Sequence, residues 1–148
     1  MKYVPKECCV GKERQKISQY TLIDECTRER FLYAFEEKNS YTTLLFLKRA
    51  LLYFGYLPEI IQTDNGTEFV KHREGNPTHL MQRFCDTLGI EHKPIRPYTP
   101  RHNGKVERLY RNDTQRFYSE LSFYDLDDLN HQMKLYLKRS NRISSVSF

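Results

Sequence analysis

The chain has 148 residues, with 24 Lys and Arg against 19 Asp and Glu, for a formal charge of +5. That length suits one layered α/β domain with a sizeable core, and an aromatic content of 14%, from eleven Tyr and nine Phe without Trp, excludes a disordered segment. No apolar run is long enough to span a bilayer, and Met1-Lys2-Tyr3-Val4-Pro5-Lys6-Glu7 lacks the apolar core of a signal peptide.

The four cysteines, Cys8, Cys9, Cys26 and Cys85, show neither C-x-x-C nor Cys/His spacing for zinc, and adjacent Cys8 and Cys9 are poorly placed to bond each other. Reduced thiols and a cytoplasmic location are the expectation. Residues 1 to 18 read as irregular, broken by Pro5 and Gly11. Tyr20-Thr21-Leu22-Ile23 is a short strand ending at Asp24, and Arg30 to Phe35 is a second, antiparallel to it across a turn from Glu25 to Arg28. Asn39 or Ser40 caps a helix whose Leu44, Leu47, Leu51 and Phe54 form a core-facing stripe, and Gly55 stops it.

Ile60 to Thr63 is the next strand, and a polar loop follows from Lys71 to Asn76. Pro77-Thr78 opens a helix carrying Leu80, Met81, Phe84, Cys85 and Leu88, closed by Gly89. Ile90 to Ile95 is another short strand. Arg96 to His102 holds Pro97 and Pro100 and is expected to be a stiff loop. A long helix begins near Asn103 and runs towards Ser119, and a last one spans Leu126 to Lys138 with Leu129, Met133 and Leu137 on one side. Two antiparallel strands, a helical crossover and a third strand specify an α/β fold with a mixed central sheet flanked by helices.

Two acids stand out by context. In Ile60-Ile61-Gln62-Thr63-Asp64-Asn65-Gly66 a β-branched run ends abruptly in an acid, an amide and a glycine, the pattern of a buried strand that delivers a carboxylate to a sheet edge. A hairpin turn is the ordinary reading of Asn-Gly, but no alternating strand follows. Glu107 lies about one turn into the expected helix, inside His102-Asn103-Gly104-Lys105-Val106-Glu107-Arg108. A structural role through the helix dipole is open to it. Were the two acids to converge, they would suit Mg²⁺, which takes one or two carboxylates and leaves positions for water and phosphate oxygens. Around Glu107 the charge is strongly positive, from Lys93, Arg96, Arg101, Lys105, Arg108, Arg111 and Arg116. An anionic partner, nucleic acid first, and a plain solvated basic face both account for it.

These words together resemble the catalytic core of the DDE integrases and transposases. The resemblance rests on Thr63-Asp64-Asn65-Gly66-Thr67-Glu68-Phe69, Gly89-Ile90-Glu91-His92-Lys93 and Arg96-Pro97-Tyr98-Thr99-Pro100-Arg101-His102-Asn103-Gly104-Lys105-Val106-Glu107-Arg108, with weaker support from Ile23-Asp24-Glu25-Cys26-Thr27-Arg28. It covers residues 2 to 140, leaving 141 to 148 as a divergent tail. It implies an RNase H-like fold and Mg²⁺- or Mn²⁺-dependent DNA cleavage and strand transfer, with a triad of Asp, Asp and Glu holding the metals. Asp64 matches the second acid and Glu107 the third.

The first acid would lie on the first strand just upstream of Lys2-Tyr3-Val4-Pro5, so that strand is expected to be incomplete and metal binding and catalysis weakened. Asp24 matches a different position, where a hydrogen bond to the turn or a salt bridge to Arg28 or Arg30 explains an acid. Arg101, Lys105, Arg108 and Arg111 would form a rail for DNA phosphates, and Asn103-Gly104 would let the loop approach DNA closely. His92 and His102 could touch phosphate but fit polar surface better, and Tyr98 either stacks on a base or packs in its loop. The resemblance therefore implies a bacterial insertion-element transposase core, with DNA as partner and assembly as a homo-oligomer or with a full-length transposase. The alternatives are a non-catalytic DNA-binding or transposase-associating remnant and, less favoured by Asn103 to Arg108, a simple RNase H-like nuclease.

Overall fold

The computed structural model describes residues 2–10, 16–64, 80–95 and 100–146. The chain divides into two compact units, Met1–Glu37 with Leu109–Phe148, and Lys38–Arg108.

The first unit is built on an antiparallel sheet of β1 (Lys2–Tyr3), β2 (Ser18–Ile23) and β3 (Arg30–Phe35), in that spatial order. The expected hairpin is present, with Tyr20 opposite Tyr33 and Ile23 opposite Arg30. The first residues are more regular than expected: Lys2 pairs with Gln19, Tyr3 with Ser18, and a 3-10 turn follows at Lys6–Cys8. Alternation along β3 buries Arg30, Leu32 and Ala34, the period-2 signature of a half-buried strand.

Against that face packs α4 (Leu126–Val146), which contributes Leu129, Met133 and Leu137 to a core shared with Val4, Ile17, Phe117 and Phe123. The helix is longer than the stretch to Lys138 that apolar periodicity marks. Its extension is held by polar contacts: Asn141 accepts from the Arg30 amide at 3.1 Å and donates to the Arg30 carbonyl at 3.0 Å. One and the same device recurs at Asn130, which accepts from and donates to the backbone of Ala34 at 2.8 and 3.0 Å. β3 is an edge strand, and these two side chains satisfy the outward backbone groups of Arg30 and Ala34, which such an edge would otherwise offer to another strand.

α3 (Pro100–Asp113) starts earlier than the expected Asn103. Pro97 and Pro100 suggested a loop, but proline is well suited to the first helical turn, where its missing N–H has no partner to lose. α3 passes directly into a π-helical turn, Thr114–Tyr118, in which neighbouring Phe117 and Tyr118 are both buried.

Burial pushes the Tyr118 and Tyr136 hydroxyls above their ordinary 10.0 and the Cys8 thiol above 9.0, with nearby Asp113 and Glu7 adding to the respective effects. In the second unit, burial raises Cys85 likewise. The folded chain thus keeps protons that the unfolded chain releases, so stability should fall as pH rises from about 9, the ordinary thiol value. Burial lowers Lys2, which works in the opposite sense for a single group. An unfolding-midpoint series between pH 8 and 11 checks this, and Tyr136→Phe should flatten the decline.

The second unit opens with α1 (Ser40–Phe54). Asn39 caps it by accepting from the Thr42 amide at 2.8 Å, and Gly55 ends it at φ 76°, a left-handed conformation that glycine adopts without strain. β4 (Ile60–Thr63) pairs in parallel with β5 (Glu91–Pro94), and α2 (Leu80–Leu88) lies between them in sequence, closed by Gly89 at φ 69°. Leu47, Ile61, Met81, Cys85 and Ile90 form this unit's own core, flanked by Leu44, Leu51, Phe84 and Leu88. The expected helix opening at Pro77-Thr78 and the loop before it lie outside the described residues.

Candidate functional site

Asp64 is the first residue beyond β4 and is exposed. The strand delivers it for a local reason. Ile61 is buried in the second unit's core, and the ladder with β5 runs to its last residue, where the Ile95 amide donates to the Thr63 carbonyl at 2.7 Å. Thr63 is also held through its side chain, its hydroxyl lying 2.9 Å from His92 Nε2. His92 is therefore engaged with the end of β4 and is not the loose polar surface that its sequence context suggests. The Asn65-Gly66 turn lies outside the described residues, as do Arg96 to Thr99 with Tyr98.

Glu107 is exposed on α3. Because the helix begins at Pro100, Glu107 sits beyond the first turn, where the helix dipole has largely fallen off. That removes the structural rationale the sequence offered for an acid there. Arg108 and Arg111 are exposed, one turn apart on the same helix, and Gly104 is exposed too. Arg101, Asn103 and Lys105 belong to α3 by backbone, and so Asn103-Gly104 is helical rather than part of a loop; the side chains of Arg101, His102, Asn103 and Lys105 are outside the described residues. A Cβ added to Gly104 would meet no described atom within 4 Å. Packing within the described chain does not demand this glycine, which costs a helix interior about 1 kcal/mol relative to alanine.

Asp24 is committed to its turn. One carboxylate oxygen accepts from the amides of Cys26 at 2.8 Å and Thr27 at 3.4 Å. The Arg28 amide donates to the Asp24 carbonyl at 2.8 Å, with Arg28 at φ 61°. Arg30 does not pair with it: its guanidinium goes to Asp113 at 2.7 Å. Of the two structural explanations for Asp24, the turn hydrogen bond is the one observed. Among the described residues, no group of three or more His, Cys, Asp or Glu side chains is placed to hold a metal ion.

Sequence reasoning missed the buried ion pair. Asp113 stands in sequence among basic residues, between Arg111 and Arg116, yet it is fully buried with Arg30, and Tyr136 donates to it at 2.9 Å. No signal local to Asp113 marks its burial, since its partner lies 83 positions away in the chain.

With this arrangement in hand, comparison with known proteins is decisive. A family model described as Integrase core domain matches residues 4–100, and a second of the same description matches residues 88–142. The chain belongs to the integrase core family. The putative integrase ORF3 of Spiroplasma virus SpV1-C74 is 27% identical over 143 residues, spanning 90% of this chain and 39% of that protein. The chain thus covers about two fifths of the length of that relative.

Among solved structures, the catalytic core domain of BIV integrase superposes with a TM-score of 0.58 at 20% identity, covering 84% of this chain and 73% of that one. The HTLV-2 integrase catalytic core domain in complex with magnesium, in a dimeric form, gives 0.56 at 18% identity, covering 92% and 77%. Identities this low speak for the fold. The integrase core carries the mixed α/β, RNase H-like architecture expected from the sequence.

Proposed function

We propose that this chain is the catalytic portion of a transposase or integrase that cuts and joins DNA, with Asp64 and Glu107 as metal-holding carboxylates. The observation that carries the reading is the exposed Asp64 placed just past the end of β4 in an integrase core. The donor chemistry fits: two exposed carboxylates are hard oxygen ligands of the kind Mg²⁺ and Mn²⁺ prefer. Bound there, the ions would lower the pKa of the attacking hydroxyl and stabilise the leaving oxygen of a phosphodiester. The HTLV-2 core bound to magnesium supports the choice of ion. The chain's own contribution is to hold the two acids on a strand end and a helix, and to bring phosphates close.

For that second task Arg108 and Arg111, with Lys105 and Arg101 earlier on α3, form the rail. Gly104 supports it, since a bare helix backbone permits a close approach that packing within the described chain does not call for. Such contacts position DNA without reading its sequence. Reversing both exposed arginines, Arg108→Glu with Arg111→Glu, should flatten the log–log salt dependence of DNA affinity by about two. It should weaken binding about equally across sequences. Fluorescence anisotropy on unrelated duplexes between roughly 50 and 300 mM salt, across which the screening length shortens far less than the affinity falls, reads both.

A second reading, in which the chain binds DNA or joins a full-length transposase without chemistry of its own, draws support from Asp24, whose carboxylate is engaged in its turn. A Mg²⁺-dependent cleavage and joining assay on element-end DNA, with and without added full-length transposase, separates the readings. Robust activity of the chain by itself sinks the second. The HTLV-2 core's dimeric form supports assembly with further copies. No helix among the described residues is long and apolar enough to cross a membrane.

A further inference from the structure

We infer that His92 is a positioning residue for Asp64, acting through Thr63. The inference rests on the reading of Asp64 as a metal ligand and deepens it. β4 is only four residues long, and the last residue of a short strand is where a ladder frays first. Yet Thr63 is tied twice. Its carbonyl accepts from the Ile95 amide at 2.7 Å, and its hydroxyl meets His92 Nε2 at 2.9 Å.

The register explains how the imidazole gets there. His92 is the partner of Ile61 across the parallel pair, so both side chains point to the same face. Ile61 is buried there, His92 is half-buried beside it, and Thr63 is the next residue of β4 on that face. The flanking Glu91 and Lys93 of β5 are exposed on the other side, where they pair with each other at 3.5 Å. One ring thus packs at the edge of the unit's core and pins the residue whose peptide carries Asp64. With Thr63 fixed in both main chain and side chain, the direction in which the Asp64 carboxylate leaves the sheet is fixed as well. A polar partner that orients a ligand without touching the metal typically tunes metal affinity by an order of magnitude or so.

The test is Mn²⁺ binding to the full chain, read by water-proton relaxation, together with the unfolding midpoint of the metal-free protein. Thr63→Val keeps the side-chain shape, favours the strand and leaves the imidazole in place, so any loss cannot be that of an imidazole ligand. We expect Thr63→Val and His92→Phe each to weaken Mn²⁺ roughly tenfold. The double variant should be no weaker than either single, because both remove one interaction. Thr63→Ser should bind as the parent does. Should Thr63→Val fold poorly, His92→Asn, too short to reach Thr63, reads the same contact.

Unchanged Mn²⁺ affinity in these variants, or fully additive losses, overturns the inference and leaves the bond as one that merely satisfies a half-buried ring. Asp64→Asn keeps the two ideas apart. If it does not weaken Mn²⁺, the metal reading itself fails. If it does while Thr63→Val has no effect, only the role of His92 falls.

Discussion

Asp113→Ala should destabilise the first unit by about 3–5 kcal/mol, the range for removing one partner of a buried ion pair. The Arg30 and Asp113 side chains are 4% and 1% exposed, and their charged atoms lie 2.7 Å apart. The carboxylate is saturated from several elements. Tyr136 on α4 donates to the oxygen that meets Arg30, at 2.9 Å, and Gln19 on β2 donates to the other at 3.4 Å. Gln19 in turn accepts from the Tyr118 hydroxyl. Arg30 spends its second terminal nitrogen on Ser140 at 2.9 Å, and Tyr136 lies under the guanidinium at 5.3 Å.

Deleting the carboxylate leaves a guanidinium in the core without its counter-charge and strands the Tyr136 and Gln19 donors. Each loss is costly because water cannot replace it. Replacing both charges by apolar side chains, Arg30→Met with Asp113→Leu, should recover most of the deficit. Urea unfolding of the two singles and the double closes the cycle. The expected signature is a coupling energy comparable to the single losses; additive losses would show that the charges do not act as a pair.

The same network explains where the sequence was readable and where it was not. Features written in consecutive residues were legible: Asn39 and Gly55 bracket α1 through local cap chemistry, and Ile60 to Thr63 forms β4 with its expected ends. The β-branched run ending in an acid, an amide and a glycine placed Asp64 at a strand end for the same reason, since that signal is carried locally. Pro100 misled because proline breaks helices everywhere except at their start, and only the residues C-terminal to it decide between the two cases.

Asp113 could not be read at all. Its partner is 83 positions away in the chain, and nothing local distinguishes a buried charge from a solvated one. The far end of α4 was missed on related grounds. Beyond Lys138 its apolar stripe gives out, and its hold on β3 passes to Ser140 and Asn141, residues that periodicity counts as surface. Polar anchors between distant segments are thus the layer that hydrophobic pattern leaves invisible.

Asp64→Asn should reduce Mn²⁺ and Mg²⁺ affinity by at least about 100-fold, the upper end of what even outer-sphere partners of a metal contribute. The change keeps the volume of the side chain and removes one negative charge together with the better of two oxygen donors, so it acts on the ion far more than on the fold. As a substitution at an exposed position just past a strand, it should leave the unfolding free energy within about 0.5 kcal/mol of the parent. Glu107→Gln should do the same from α3. If the two carboxylates share an ion, the double variant will bind no worse than either single, since the site is already lost. Independent, additive losses would mean that Asp64 and Glu107 serve separate sites, and the converging pair would have to be abandoned.

Any Mg²⁺-dependent joining that the chain performs, alone or assembled with a full-length transposase, should fall to background in Asp64→Asn, because two-ion phosphodiester transfer fails when an ion is not held. DNA binding by the rail on α3 should survive in the same variant, or rise slightly as one negative charge is removed from the chain. Loss of chemistry with retention of DNA binding is the pattern that a catalytic carboxylate produces and a structural one does not.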